Sequence, residues 1–266
     1  MANQPKRLKV RNDDPRKLFI ILEDASLELA KVGKKVELLC SDKHRNFLSR
    51  RKDPLNYRPD ITHQCLLMLL DSPLNKAGLL EIYIHTVKNV LIRVHPQTRI
   101  PRTFERFVGL MSKKLLSVNI KILICNVVTL PFCIKFCIFS LCLNLVQLLS
   151  KLSIRATGSP ETLLKVIKNP VTNYLPVGCK VYATSFHAER LVNIREIVPQ
   201  AEPVAIVIGA LPHGSTLPEY SEEVLKISNY PLSAALTCAK VCTAFEENSK
   251  HLGQCLKLAT GSPLSA

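Results

Sequence analysis

The ten cysteines of this 266-residue sequence include no CxxC pair, so the spacing used by zinc ribbons and dithiol redox sites is missing. No GxGxxG follows a strand, which excludes a dinucleotide loop and the glycine-rich loop of the common Rossmann methyltransferases. GxxxxGK[ST], HExxH and GxSxG are absent too, so ATP hydrolysis, zinc proteolysis and serine esterase chemistry lose their usual signatures. Gly 9 and Pro 17 are too few for a collagenous or low-complexity chain. The opening MANQPKRLKVRNDDPRK has no apolar core of a secretory signal, which predicts a reducing compartment with free, buried thiols. PKRLKVR is a weak nuclear signal, and residues 1–15 read as a disordered basic N-terminus.

What is present is a globular composition, 47% hydrophobic and 21% charged, with a net charge of +15. A chain this long buries roughly 70–75% of its unfolded surface, so no staple is needed. The basic excess is uneven. Met1–Asp60 has 15 basic and 9 acidic residues, His85–Lys114 has 7 and 1, and Gly158–Glu247 has 7 and 9. A polyanion-binding N-terminal part and a C-terminal part with another task follow from this asymmetry.

The run Leu18–Leu22 predicts a first buried strand, followed by a turn and a segment around Lys31–Cys40. Asp60 or Thr62 is positioned to cap a helix from His63 to about Leu70, ended by Pro73 and Asn75. Glu81–Thr86 and Val90–Val94 read as strands about a Lys88-Asn89 turn. In HPQTRIPRTFERF, Pro101 marks a helix start, with Arg102 and Arg106 on one face. Those like charges repel unless something anionic faces them. Leu163–Ile167, Val181–Ser185 and Val204–Ile208 read as strands, and Leu232–Glu247 as a long helix on which Cys238 and Cys242 share a face as core thiols. The continuous apolar VAIVIG fits a strand buried on both sides in a mostly parallel α/β sheet.

Ser112–Leu145 does not fit this pattern. It is crowded with Ile, Leu, Phe and Cys, and the window Val127–Leu149 is long enough to cross a bilayer, although Lys135 and Pro131 interrupt it. Ser112-Lys113 can be encoded with a splice-donor-like string, and a translated pyrimidine-rich tract has this composition. A translated intron is the first reading, ahead of a buried or membrane-associated hairpin and a true span.

Two C-terminal pieces have the makings of a ligand site. IVIGALPHG places Gly209 after a buried strand and Gly214 in the loop, where a backbone approaches a ligand closely. ISNYPLSAALTCAK leads into a helix whose start, set at Pro231, presents free N–H groups to an anionic group.

Together with RPDITHQ, LLDSPLNKAGLL, NVLIRVHPQTRIPRTFERFVGLM and LLKVIKNPV, the string ISNYPLSAALTCAKVCTAFEE resembles the ribosome-biogenesis pseudouridine N1-specific methyltransferases of the SPOUT superfamily. The resemblance covers about Arg16–Met111 and Val146–Glu247. It implies a single domain over 16–247 with an α/β fold, a mostly parallel sheet flanked by helices, and a C-terminal trefoil knot over 180–247. It also implies S-adenosylmethionine as cofactor, a homodimer, small-subunit rRNA as substrate, ribosome assembly factors as partners, a nuclear and nucleolar location, and no membrane.

Carried over by position, Thr184, Gly209, Gly214, Ile227, Ser228, Asn229, Tyr230, Pro231 and Leu232 match cofactor-binding residues. Arg58, Arg99, Arg102 and Arg106 match RNA-contacting arginines, with Asp60 holding Arg58 and a weaker candidate as proton acceptor. Ser112–Leu145 interrupts what is one continuous helix in the family, and residues 248–266 replace a short ending that contains tryptophan, a residue this chain lacks. A non-catalytic rRNA-binding assembly factor, with turnover impaired by the insertion, is the alternative function. A membrane-tethered protein using Val127–Leu149 is the third.

Overall fold

The computed structural model describes residues 17–32, 35–49, 54–112, 163–198, 202–214 and 218–247. The basic N-terminus 1–15, the tail 248–266, the window Val127–Leu149 and all of the insertion after Ser112 lie outside the described residues.

A seven-stranded sheet organises the domain, and its centre follows from the apolar runs. In β1 (Leu18–Ala25), Leu18, Ile20 and Leu22 enter one core while Phe19 and Ile21 enter the other. In β8 (Val204–Gly209), Val204, Ile206 and Ile208 face the first core and Ala205 and Val207 the second. Such two-sided burial suits central parallel strands, and a fully buried Leu or Ile contributes about 1.5–3 kcal/mol.

β1 lies between β8 and β4 (Leu80–Thr86), parallel to both. Beyond β8 come β7 (Lys180–Thr184) and β9 (Glu223–Leu225), also parallel. Beyond β4, the strands β5 (Leu91–Val94) and β6 (Leu164–Ile167) pair antiparallel, giving the order β6-β5-β4-β1-β8-β7-β9. The segment around Lys31–Cys40 belongs to a separate antiparallel hairpin, β2 (Leu29–Val32) with β3 (Lys35–Leu38). The three-residue β9 has no hydrophobic pattern of its own and was not among the expected strands.

α1 (Arg45–Leu48) follows the hairpin. α2 (Pro59–Asp71) and α6 (Ala234–Glu247) cover the first core with Cys65, Leu66 and Leu69 from one and Cys238, Val241 and Phe245 from the other. α4 (residues 104–112) adds Phe107 and Met111. α5 (Ile194–Ile197) packs Ile194 into the same core. On the other face, Val171 from a 3₁₀ turn (Val171–Tyr174) joins the second core.

Two helix starts in this half of the chain differ from expectation. α2 begins at Pro59, four residues early, because proline suits the first helical position; Arg58 is the N-cap, and neither Asp60 nor Thr62 caps it. α2 ends at Asp71 as expected, with Ser72 extended before Pro73, and Pro73 also opens a short α3 (Pro73–Lys76), the Ser72 hydroxyl accepting from Asn75 N–H at 3.1 Å. α4 begins at Phe104, where the Thr103 carbonyl receives the first helical bond from Phe107 N–H, so Arg102 precedes the helix and does not share a helical face with Arg106.

Candidate active site

The carboxyl ends of β7 and β8 open onto a cavity of about 550 Å³, walled by the loop after β8, Ile227, Ser228, residues 230–235 and the start of α2. Ligands of open α/β sheets bind at the carboxyl ends of strands, and this volume is in the usual range for small-molecule sites.

Of the residues expected to hold the cofactor, Thr184, Gly209, Gly214, Ile227, Ser228, Tyr230, Pro231 and Leu232 all line this cavity. Asn229 does not; it lines a neighbouring groove with Leu191, Leu236 and Lys240. The Thr184 hydroxyl donates to the Val207 carbonyl at 3.0 Å, which locks the end of β7 to β8. The Ser228 hydroxyl accepts from Tyr230 N–H at 3.1 Å and shapes the turn before α6. α6 starts at Ala234 and not at Pro231, because Ser233 supplies the cap: its hydroxyl accepts from Leu236 N–H at 3.2 Å and its carbonyl from Thr237 N–H.

Gly214 has φ +96°, and a Cβ added there would meet Leu211 Cδ1 at 3.3 Å. The backbone therefore comes close to the cavity wall where a side chain would be strained. Apolar Ile208, Leu211 and Leu232, together with polar Thr184, Ser185 and Ser228, suit the flat base and polar tail of S-adenosylmethionine. Among the described residues, no group of three His, Cys, Asp or Glu side chains is placed to hold a metal ion. No described helix is long and apolar enough to cross a membrane.

Arg58 and Asp60 line the same cavity from the start of α2. Arg58 Nε donates to Asp60 Oδ1 at 2.8 Å and Nη2 to Oδ2 at 2.7 Å, a bidentate pair that raises the guanidinium pKa. Arg102 pairs with Asp71 at 3.2 Å on the exposed surface, a weak and salt-sensitive contact. Arg99 and Arg106 are exposed outside the cavity. The arginine-bearing segment is fastened to α2 and α3: His63 Nε2 donates to the Pro101 carbonyl at 2.7 Å, and Asn75 Nδ2 to that of Pro96 at 3.0 Å. His63 also stacks on Phe107 at 4.6 Å between ring centroids.

Several lining residues escaped the sequence reading, among them Gln64, Phe186, His187 and Thr237. Gln64 and Thr237 come from helix faces whose apolar spacing identifies only the core side. Phe186 belongs to the ATSF string, but nothing in that string distinguishes a wall residue from a core residue.

A family model described as EMG1/NEP1 methyltransferase matches residues 20–123 and 141–246. The chain is 54% identical over 233 residues to the ribosomal RNA small subunit methyltransferase NEP1 of Mus musculus, covering 87% of this chain and 82% of that one. It is 31% identical over 202 residues to Nep1 of Staphylothermus marinus, covering 71% and 70%. The crystal structure of Archaeoglobus fulgidus Nep1 bound to S-adenosylhomocysteine superimposes with a TM-score of 0.63 at 25% identity, over 88% of this chain and all of that one. By the extent of the family match and these identities, the chain belongs to the EMG1/NEP1 methyltransferase family.

Proposed function

We propose that this chain transfers a methyl group from S-adenosylmethionine to N1 of a pseudouridine in small-subunit rRNA. The observation that supports it most is the meeting of two sets of residues in one cavity: Ile227, Ser228 and Tyr230–Leu232 with Gly209 and Gly214, and the Arg58–Asp60 pair. The Mus musculus and Staphylothermus marinus relatives are named ribosomal RNA small subunit methyltransferases, and Archaeoglobus fulgidus Nep1 was solved bound to S-adenosylhomocysteine.

The cofactor supplies an electrophilic methyl on its sulfonium. The chain has to hold that methyl in line with the ring nitrogen, so alignment and electrostatics carry the rate. Arg58 can grip a phosphate or stabilise a base turned out of its stack, as enzymes acting on bases require. Arg58 engages both oxygens of Asp60, which supports a role for Asp60 in aiming the guanidinium ahead of one as acceptor of the N1 proton. Arg99, Arg102 and Arg106 extend the cationic surface away from the cavity.

A homodimer, a trefoil knot in the C-terminal segment, assembly factors as partners and a nucleolar location belong to the same reading. The groove beside Asn229, with Leu191 51% and Leu236 46% exposed, supplies an apolar surface for a second copy. Titration with S-adenosylhomocysteine, followed by transfer of labelled methyl to a pseudouridine-containing hairpin, tests the proposal. Cofactor binding with transfer supports it, and failure of both refutes it.

One observation favours a non-catalytic assembly factor: the family model passes over residues 124–140 inside the expected insertion. Joining Met111 to Val146 is expected to restore one continuous helix. Transfer by the shortened chain and none by the full chain would support that second reading.

A further inference from the structure

Glu23 sits at the end of β1, opposite Gly209 in the register with β8, and is buried. Its main-chain carbonyl accepts from Ala210 N–H at 2.7 Å. Its carboxylate Oε2 accepts from the Tyr220 hydroxyl at 2.7 Å, and Oε1 accepts from His85 Nδ1. Leu211–Gly214, which wall the cavity, lie between Ala210 and Tyr220 in the chain. One residue of β1 thus holds the chain on both sides of the cavity wall, although Glu23, His85 and Tyr220 do not line the cavity.

Hydrogen bonds from Asn169 and Asn89 orient the outer side of this cluster. Asn169 Nδ2 donates to the Asn89 main-chain carbonyl at 2.8 Å, which orients the Asn169 amide because a carbonyl only accepts. The same amine reaches Asn89 Oδ1 at 2.5 Å, so that atom is an acceptor. His85 Nε2 lies 2.9 Å from this oxygen and must donate to it, while Nδ1 donates to Glu23. The Glu23 contact raises the His85 pKa, and below that value His85 carries both ring protons and forms an ion pair with the Glu23 carboxylate. The charged and titratable groups facing it are Glu23 and Asp24 of β1 and, across Glu23, Tyr220.

We propose that Glu23, clasped by His85 and Tyr220, is a positioning residue that fixes Leu211–Gly214 in the conformation that receives the cofactor. The proposal rests on the methyltransferase reading of the same cavity. A pre-ordered wall spares the cofactor the entropy of ordering it, so losing the clasp weakens binding without removing any ligand contact.

The test is calorimetric titration of the full chain with S-adenosylhomocysteine, with hairpin RNA affinity measured in parallel. Tyr220→Phe leaves Glu23 Oε2 without its donor and is expected to weaken cofactor binding by about tenfold while RNA affinity stays within about twofold. Glu23→Ala is expected to weaken it further. Glu23→Gln is expected to recover most of that loss, since its amide oxygen can accept from Tyr220 and its amine can donate to a neutral His85.

Cofactor affinity of the natural chain should fall as rising pH discharges His85, and that dependence should be flat in Glu23→Gln. Undiminished affinity in both Tyr220→Phe and Glu23→Ala, equal losses of cofactor and RNA binding, or the same pH dependence in Glu23→Gln would overturn the proposal. A natural chain that binds no S-adenosylhomocysteine would contradict the methyltransferase reading itself, and the clasp with it.

Discussion

Arg58 and Asp60 are joined side by side at the first turn of α2, with Nε–Oδ1 at 2.8 Å and Nη2–Oδ2 at 2.7 Å, on the wall of the cavity that also holds Gly209 and Gly214. The arrangement aims a planar fork of donors and occupies both carboxylate oxygens. It also places a carboxylate at a helix N-terminus, where it is worth about 0.3–1 kcal/mol.

Replacing Asp60 by Ala should free Arg58 and reduce hairpin RNA affinity by about tenfold, with binding of S-adenosylhomocysteine retained. Filter binding and calorimetry read the two effects. If Asp60 were instead the proton acceptor, Asp60→Asn would lower the rate at saturating RNA by about 10²–10⁴ and leave affinity alone.

Gly214→Ala should weaken S-adenosylhomocysteine binding by about tenfold, because a left-handed backbone costs an L side chain about 1–2 kcal/mol and the new Cβ crowds Leu211. Gly209→Trp and Gly214→Trp should abolish binding by filling the cavity. Calorimetric titration showing tight binding by the two tryptophan variants would refute the cofactor site.

The RNA surface should show itself in salt dependence. If Arg58, Arg99, Arg102 and Arg106 each neutralise one phosphate, the logarithmic slope of affinity against salt includes about 0.7 per contact, or about 3 in all. Replacing Arg102 and Arg106 together by Ala should lower it by about 1.4. An unchanged slope and affinity would mark both as solvated charges.

The Glu23 carboxylate holds His85 protonated above its usual value of 6.5. Since the folded pKa is raised, the stabilisation is fully present below about pH 6.5 and is lost as pH rises through the folded value. Melting temperature measured from pH 6 to 9 should decline over that window in the natural chain and lack this component in Glu23→Gln.

The centre of the fold was legible in the sequence because continuous apolar runs such as VAIVIG admit few placements other than a strand buried on both faces. Helix starts were less legible. Pro101 and Pro231 both signal a start, yet Thr103 and Ser233 hold the first helical bonds two residues later. That shift removes Arg102 from α4 and brings it to Asp71, a partner 31 positions away. Most of the cavity wall was named through resemblance, whereas Glu23 was not. Its bond to Tyr220 spans 197 positions, and only the sheet register brings the two together.

The most direct measurement is nucleoside mass spectrometry of a pseudouridine-containing small-subunit rRNA hairpin after incubation with the chain and S-adenosylmethionine, beside the same hairpin with uridine. One methyl per hairpin is expected on N1 of pseudouridine and none on the uridine control. Methylation at another position, equal methylation of both hairpins, or none by either the full chain or the chain lacking residues 112–145 would contradict the proposed activity.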